Sequence, residues 1–471
     1  MSRLTPLGLA LLLAGCNLAP PHQRPDLPAP SDFPADYSGD VELGRRAAEI
    51  GWRDFFADPR LASLVEAALQ RNRDLAVAVA RIEEARGLYR IQRADQLPTL
   101  GAFGEAGISR TPGAATGIPG ASSSTDERYA IGVGVTGFEL DFWGRVRNLS
   151  EAARAEYLAT VQAERAFRLA LIRDVASAYF GSREAAERIE LAEATVRSRQ
   201  EGVRIARLRL DAGVTSALDF RQAESLLTQA ETELAALRLA LARSDNFLGV
   251  LVGGSISEPL PEPLPLAAQK NGERIAAGLP SELMVVRPDV VAAEERLRAA
   301  RANVGAARAA FFPSISLTGN AGFASTALGS LIGGDGLSWS FTPAIDLPIF
   351  DWGRREGNLT ASRAREQAAL AAYEGILQQA FREVADALAG RRWLAEQVDA
   401  QTRAAEAQRH IARLARARYR EGVANYLEVL DAERNLFTAE QALIQLRRSE
   451  LENLVSLYVA LGGGAVERTL P

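Results

Sequence analysis

At 471 residues the chain could hold two or three ordinary domains, and its 54 basic residues, all arginine except Lys270, stand against 59 acids for a net charge of −5. That balance argues against a nucleic-acid footprint, and with Cys16 as the one cysteine and only His22 and His410 as histidines there is no disulfide and almost no material for a metal site. Beyond the N-terminus no run of 18 apolar residues occurs, so a membrane-spanning helix is not expected.

The first residues, MSRLTPLGLALLLAGCN, combine an early Arg3, a short apolar core and small residues before Cys16. Residues 1–15 read as a secretory signal peptide. Leu13, Ala14, Gly15 and Cys16 resemble a bacterial lipobox, in which the cysteine sulfur is joined to diacylglycerol and the residue becomes the acylated N-terminus. Asn17, rather than aspartate, follows it, which by the same resemblance favours export to the outer membrane. Several acyl chains would anchor firmly, where one binds only marginally. Residues 16–54 then form a Pro-rich arm whose prolines favour extended chain over helix.

A helical pattern covers 55–96, and Pro98 ends it. Residues 97–142 read as a β-hairpin. Tyr129, Ile131, Val133 and Val135 alternate with Ala130, Gly132, Gly134 and Thr136, while the stretch from 97 to 110 alternates poorly. Residues 143–254 read as a helical hairpin: 146–210 is free of proline, long enough for a helix of about 100 Å. A turn follows at Gly213. The returning segment carries Leu227, Ala230, Leu234, Leu237, Leu241, Ser244, Leu248 and Leu251 at alternating spacings of three and four, the mark of a coiled coil.

After a linker at 255–283 the order repeats: a helical segment at 284–312, a hairpin at 313–350, a helical hairpin at 351–463 turning at Gly422, and a tail at 464–471. The halves are one duplicated unit, because Trp143, Gly144 and Arg145 recur 209 residues later as Trp352, Gly353 and Arg354. Upstream the offset is 215, pairing Pro98 with Pro313, so the difference of six falls between Pro98 and Trp143, in a Gly/Pro/Ser-rich stretch, and reads as a change of loop length. In the second hairpin, Leu337, Trp339, Phe341 and Ile345 alternate with Ser338, Ser340, Thr342 and Ala344. Likewise Ile315, Leu317, Ala321 and Phe323 alternate with Ser316, Thr318 and Asn320. One face is apolar and the other polar, as a transmembrane barrel requires, with Ser338, Ser340, Thr342, Ser316 and Thr318 toward water.

The expected fold is therefore mixed α and β: a duplicated unit giving four strands, too few to close a barrel, and long antiparallel coiled-coil hairpins. Two chains would supply eight strands and a lumen filled by side chains; three would supply twelve and leave an aqueous bore.

The stretches RPDVVAAEERLRAARANVGAARAAFFPSISLTG (287–319) and RYREGVANYLEVLDAERNLFTAEQ (418–441), with the two W-G-R junctions, resemble the outer membrane efflux protein family, the TolC-like channels, on their lipoprotein branch. The resemblance implies a homotrimer with a 12-strand barrel, a periplasmic helical tunnel, and a belt formed by the Pro-rich arm and residues 258–272. It also implies an exit duct for an efflux pump, served by a periplasmic adaptor and an inner-membrane transporter. A type I secretion duct or a non-conducting scaffold lipoprotein are the alternatives. Apolar and acidic rings constrict such tunnels near the turn of the second hairpin, a role the resemblance carries onto Leu427, Asp431 and, more weakly, Glu428. The turns Gly213-Val214-Thr215 and Gly422-Val423-Ala424 correspond to the tips that meet the adaptor.

Local chemistry competes with those roles. Ser216 with Asp219, and Asn425 with Glu428, have the spacing of a helix cap and its third-position acid, and Leu427 could be a plain coiled-coil contact. Asp431 lies six residues past the cap, and Gln222 takes its place in the first repeat. Glu294 and Glu295 read as a solvated or ion-paired face, and Trp143 and Trp352 as anchors between strand and helix. No catalytic constellation, cofactor or metal is expected, and no nucleic-acid partner.

Overall fold

The computed structural model describes residues 17–24, 33, 45–115, 117, 122–254, 259–270, 275–276, 287–333 and 335–469. The expected signal peptide, Cys16, and much of the arm and the central linker lie outside the described residues.

In chain order, β1 (Arg45–Arg46), a short α1 (Trp52–Phe55), α2 (Pro59–Arg71) and α3 (Arg73–Ala94) come first. The expected 55–96 helical segment is thus divided at Asn72. Its side chain accepts from the Leu75 amide at 2.8 Å and donates to the Leu251 carbonyl at 2.8 Å, so it caps α3 where the apolar pattern alone would continue α2. The first repeat goes on with β2 (Leu100–Thr111), β3 (Ser124–Glu139), α4 (Arg145–Asp211) and α5 (Ala217–Val252). Then come β4 (Ile275–Ala276), α6 (Pro288–Ala309), β5 (Ser314–Ser325), β6 (Leu337–Asp346), α7 (Arg354–Arg420) and α8 (Tyr426–Ala460). Helices α4 and α7 are each 67 residues long, the equality that duplication demands.

The chain divides into two compact units. The first contains the four-stranded sheet, order β2-β3-β5-β6, antiparallel throughout. Directly paired residues share a face, so the register gathers Trp339, Ala321, Val133 and Ala102 on one side, flanked by Phe341, Gly319, Val135 and Leu100. On the other side Ser338, Ser340 and Thr342 lie opposite Gly322, Asn320 and Thr318, and Ser316 opposite Ala344. All five residues expected to face water therefore share a face, and it is not the face of Trp339. Every residue of β2 and β6 is exposed, so nothing among the described residues covers either face at the edges. Trp339 is 75% exposed and Ile345 71%. A sandwich layer would bury one of those faces. A bulge between Val135 and Phe138 interrupts β3, where the Gly137 amide donates to the Thr318 hydroxyl at 3.1 Å.

In the same unit the described N-terminal residues lie along α6. Glu294 is buried, not solvated, and accepts from Arg24 at 2.8 Å and Arg298 at 3.0 Å, with the His22 ring 3.0 Å away. Burial alone would raise its carboxyl, but the hydrogen bonds from Arg24 and His22 hold it below the ordinary carboxylate range. Its ionic partners thus come from about 270 residues earlier as well as from its own helix. Of the two alternatives expected for Glu294 and Glu295, a solvated or an ion-paired face, the structure shows ion pairing, with Glu295 also paired to Arg298 at 2.9 Å.

The second unit is built on helices. Asp58 caps α2 by accepting from the Arg60 amide at 2.8 Å, and its other oxygen receives Tyr179, Gln269 and the Leu264 amide. This buried carboxylate, accepting four hydrogen bonds, therefore ties the segment after α5 to α2 and α4. Phe55 stacks on Tyr458 at 3.9 Å, and the Tyr458 hydroxyl donates to the Ile50 carbonyl at 2.6 Å. The C-terminal tail closes over α1, as the Trp52 amide donates to Val466 and the Arg53 amide to Glu467. Along α5 all eight heptad residues are buried or half-buried, whereas Leu239, Phe247 and Val250 between them are exposed.

Candidate functional site at the hairpin turns

Both long hairpins turn on the same backbone device. After α4 the Gly213 amide donates to Leu210 O at 2.9 Å and the Val214 amide to Arg209 O at 2.8 Å; after α7, Gly422 and Val423 repeat this with Tyr419 and Arg418. This pairing satisfies the last carbonyls of a helix and needs a left-handed residue, supplied by Gly213 at φ 71° and Gly422 at φ 75°. The turn sequence is thereby explained without function. What it leaves outside is Val214 and Val423, about two thirds exposed at each turn. Thr215 and Ala424, which complete the expected tips, are half-buried.

The two caps differ. Ser216 and Asp219 bond reciprocally, and the Asp219 carboxylate also accepts from Thr215 at 2.6 Å, which with the Ser216 bonds holds its carboxyl below the ordinary range. Asn425 accepts from the Glu428 amide at 3.0 Å, but the Glu428 carboxylate turns to Arg418 at 3.4 Å. Helix capping therefore accounts for the acid at Asp219. It accounts for the amide of Glu428 but not for its side chain.

Beside the caps is a cleft of about 210 Å³, lined by residues of both hairpins including Arg209, Gln222, Tyr426, Leu427 and Leu430. The coiled-coil contact here is made by Val429 and Ala432 against Ala412 and Ala415. Leu427 is not in that core: it is 46% exposed and faces the cleft. Its first-repeat equivalent, Leu218, is 65% exposed. Asp431, one helical turn beyond Leu427, pairs with Arg434 at 3.0 Å, both about half exposed. The acid is accordingly a charge pair along the helix surface, not a lone carboxylate.

Three residues that the sequence reading passed over hold the two hairpins together. Arg209 donates to the Tyr419 hydroxyl, Tyr419 and Tyr426 have ring centroids 5.2 Å apart, and the Tyr426 hydroxyl lies over Gly202, where a Cβ would come within 2.0 Å of it. Burial, followed by Glu433, pushes the Tyr426 phenol up to about 12, so it stays protonated. A signal for them was present: where the second repeat has Tyr419 and Tyr426, the first has Leu210 and Ala217, and where the second has Ile411 the first has Gly202.

A larger cleft of about 710 Å³ in the same unit contains Arg287, held by Asp289 at 2.6 Å and Glu383 at 2.8 Å. Its charges neutralise one another. Among the described residues no group of three or more histidines, cysteines or acids could hold a metal, and no helix is long and apolar enough to cross a membrane.

Comparison with known proteins bears on this arrangement. The chain is 42% identical over 464 residues to the probable efflux pump outer membrane protein TtgC of Pseudomonas putida, covering 98% of this chain and 95% of that one. It is 39% identical over 467 residues to the cation efflux system protein CusC of Escherichia coli K12, covering 98% and 99%. The open state of the MtrE outer membrane channel of Neisseria gonorrhoeae superposes with a TM-score of 0.88 at 40% identity, over 97% of this chain and all of that one. The profile of the family described as "Outer membrane efflux protein" matches residues 64–254 and 279–463, so the chain belongs to the outer membrane efflux protein family.

Proposed function

We propose that three copies of this chain form the outer-membrane channel of a tripartite efflux system, conducting substrates passively from an inner-membrane transporter and periplasmic adaptor to the outside. The observation that carries the reading is the sheet: four strands, exposed at both edges, whose β5 and β6 are apolar on one face and carry Ser, Thr, Asn, Gly and Ala on the other. Lipid satisfies the first face and a water-filled bore the second. Three such sheets close without edges. Relatives named as efflux pump outer membrane proteins support the efflux role over protein secretion.

On this reading Ser338, Ser340, Thr342, Ser316 and Thr318 line the barrel bore, while Leu427 and Asp431, with Glu428 beside them, form the periplasmic constriction. Nothing in the mechanism requires a reacting group: the chain supplies a polar path and a gate, and the partners supply energy. Cys16 carries the lipid anchor. Because the chain has no other thiol, Cys16→Ser should abolish incorporation of radioactive fatty acid, and labelling that persists would contradict the anchor.

The exposed Val214 and Val423 supply apolar contacts to the adaptor. Deleting the gene should sensitise the cell to a set of toxic compounds, and the wild-type gene should restore resistance. Restoration by Val214→Asp with Val423→Asp should fail, with adaptor crosslinking lost and the trimer intact on native gels. Full restoration by that variant would remove the turns from the docking surface, and an unchanged compound profile after deletion would count against efflux itself.

A further inference from the structure

The duplication allows one contact inside the chain to be projected onto a contact between chains. At the junction of the two repeats, the Trp143 indole N–H donates to the Pro313 carbonyl at 2.8 Å, and its ring stacks on Phe312 at 4.7 Å. Trp143 corresponds to Trp352, Pro313 to Pro98 and Phe312 to Leu97. In the single chain those three equivalents do not meet: Trp352 is 89% exposed, with φ at 57°, and Leu97 is 70% exposed. An exposed tryptophan on a backbone conformation that side chains disfavour is a candidate for a contact that holds it there.

The strands can be projected in the same way. β2 corresponds to β5 at an offset of 215, and because Leu100 pairs with Val135 while Ile315 pairs with Ile345, β3 before its bulge corresponds to β6 at 210. The internal β3–β5 pairs Ile131↔Phe323 and Val135↔Gly319 then become Phe341↔Ile108 and Ile345↔Gly104 between β6 and a second β2. The face of the side chains and the direction of the amides are both consistent with that register and exclude a shift of one residue. The register keeps Phe341 and Ile108 on the apolar face and Ser340 and Ser109 on the polar one. It also matches the backbone: the Ala324 amide bonds Gly336 O, and the Leu140 amide bonds Ile315 O, so alternation turns the free amides of β6 outward at odd positions and those of β2 outward at even ones. Pro343, at one of those outward positions, leaves the rung opposite Ala106 without one donor, a local cost the seam carries.

We infer that β6 pairs with β2 of a second copy of this chain in this register, and that Trp352 locks the base of the seam by donating to the Pro98 carbonyl of the partner subunit while covering Leu97 of the partner subunit. The inference rests on the trimer proposed above, and it adds the residues and register of the seam.

Paired cysteines test it in the full-length, lipidated protein. Ser340→Cys with Ser109→Cys places two thiols at a close, non-hydrogen-bonded rung facing water, so oxidation should give covalent dimers and trimers on denaturing gels. Ser340→Cys with Gly107→Cys or with Thr111→Cys, two residues out of register, should crosslink much less. Separately, Trp352→Phe keeps the ring but loses the indole donor, and should lower the temperature at which the trimer dissociates on gels. Stronger crosslinking by an out-of-register pair would overturn the register, and unchanged dissociation of Trp352→Phe would overturn the lock. A protein that crosslinks in neither register yet runs as a trimer on native gels refutes the seam alone. A protein that runs as a monomer on native gels refutes the trimer beneath it.

Discussion

Phe341→Arg should prevent stable assembly in lipid, at a cost of about 2 to 4 kcal/mol if the residue lies near the bilayer midplane, while Ser340→Arg should assemble and change ion selectivity. The two residues are neighbours on β6, and both are exposed in the chain. Exposure therefore does not separate them; the face does. Phe341 lies opposite Gly319 on the side of Trp339, and Ser340 lies opposite Asn320 on the side of Thr318. In the proposed barrel a charge on the first side would meet hydrocarbon and on the second water. Heat-modifiable trimer on gels reads assembly, and reversal potential in a salt gradient reads selectivity. Equal effects at the two positions would mean that the faces are not lipid and lumen.

The second large effect is expected at the constriction. If Leu427 and Asp431 form the proposed constriction, Leu427→Ala with Asp431→Ala should raise the single-channel conductance of the resting protein, because the trimer would lose an apolar ring of three leucines. The ion pair refines the charge prediction. Asp431 is held 3.0 Å from Arg434, so in the proposed trimer Asp431→Ala alone would leave three unpaired guanidinium groups at the constriction and should shift preference toward anions and lose block by multivalent cations. Arg434→Ala should do the opposite, strengthening that block. Leu218→Ala with Gln222→Ala, the first-repeat equivalents, should change conductance less, since that repeat lacks the acid. Identical behaviour of the two double variants would place the constriction elsewhere.

Much of this architecture is legible because its rules are local. The alternation of Leu337, Trp339 and Phe341 with serines and threonine follows from a pleat of period two, and the heptad from Leu227 to Leu251 from the geometry of paired helices. The turns at Gly213 and Gly422 follow from the left-handed conformation that only glycine adopts cheaply. Strand β2 is less legible, since Gly101, Gly104 and Gly107 erase the alternation and Phe103 and Glu105 share the face of Ser340. The remaining differences come from partners distant in sequence. Asn72 breaks a helix by reaching Leu251, Glu294 is buried by residues near the N-terminus, and Tyr426 sits over Gly202. No local pattern encodes those contacts. The Asp431–Arg434 pair is the exception, for an acid and an arginine three apart on a helix could have been read directly.

The central claim is that this chain, without a partner, makes a water-filled path through the outer membrane. Purified, lipidated protein in planar bilayers tests it most directly. The account predicts discrete unitary currents of one size class, raised by the Leu427→Ala, Asp431→Ala variant and altered in selectivity by Ser340→Arg. Native-gel trimers that insert into the bilayer and pass no current, in the wild type and in both variants alike, would contradict it.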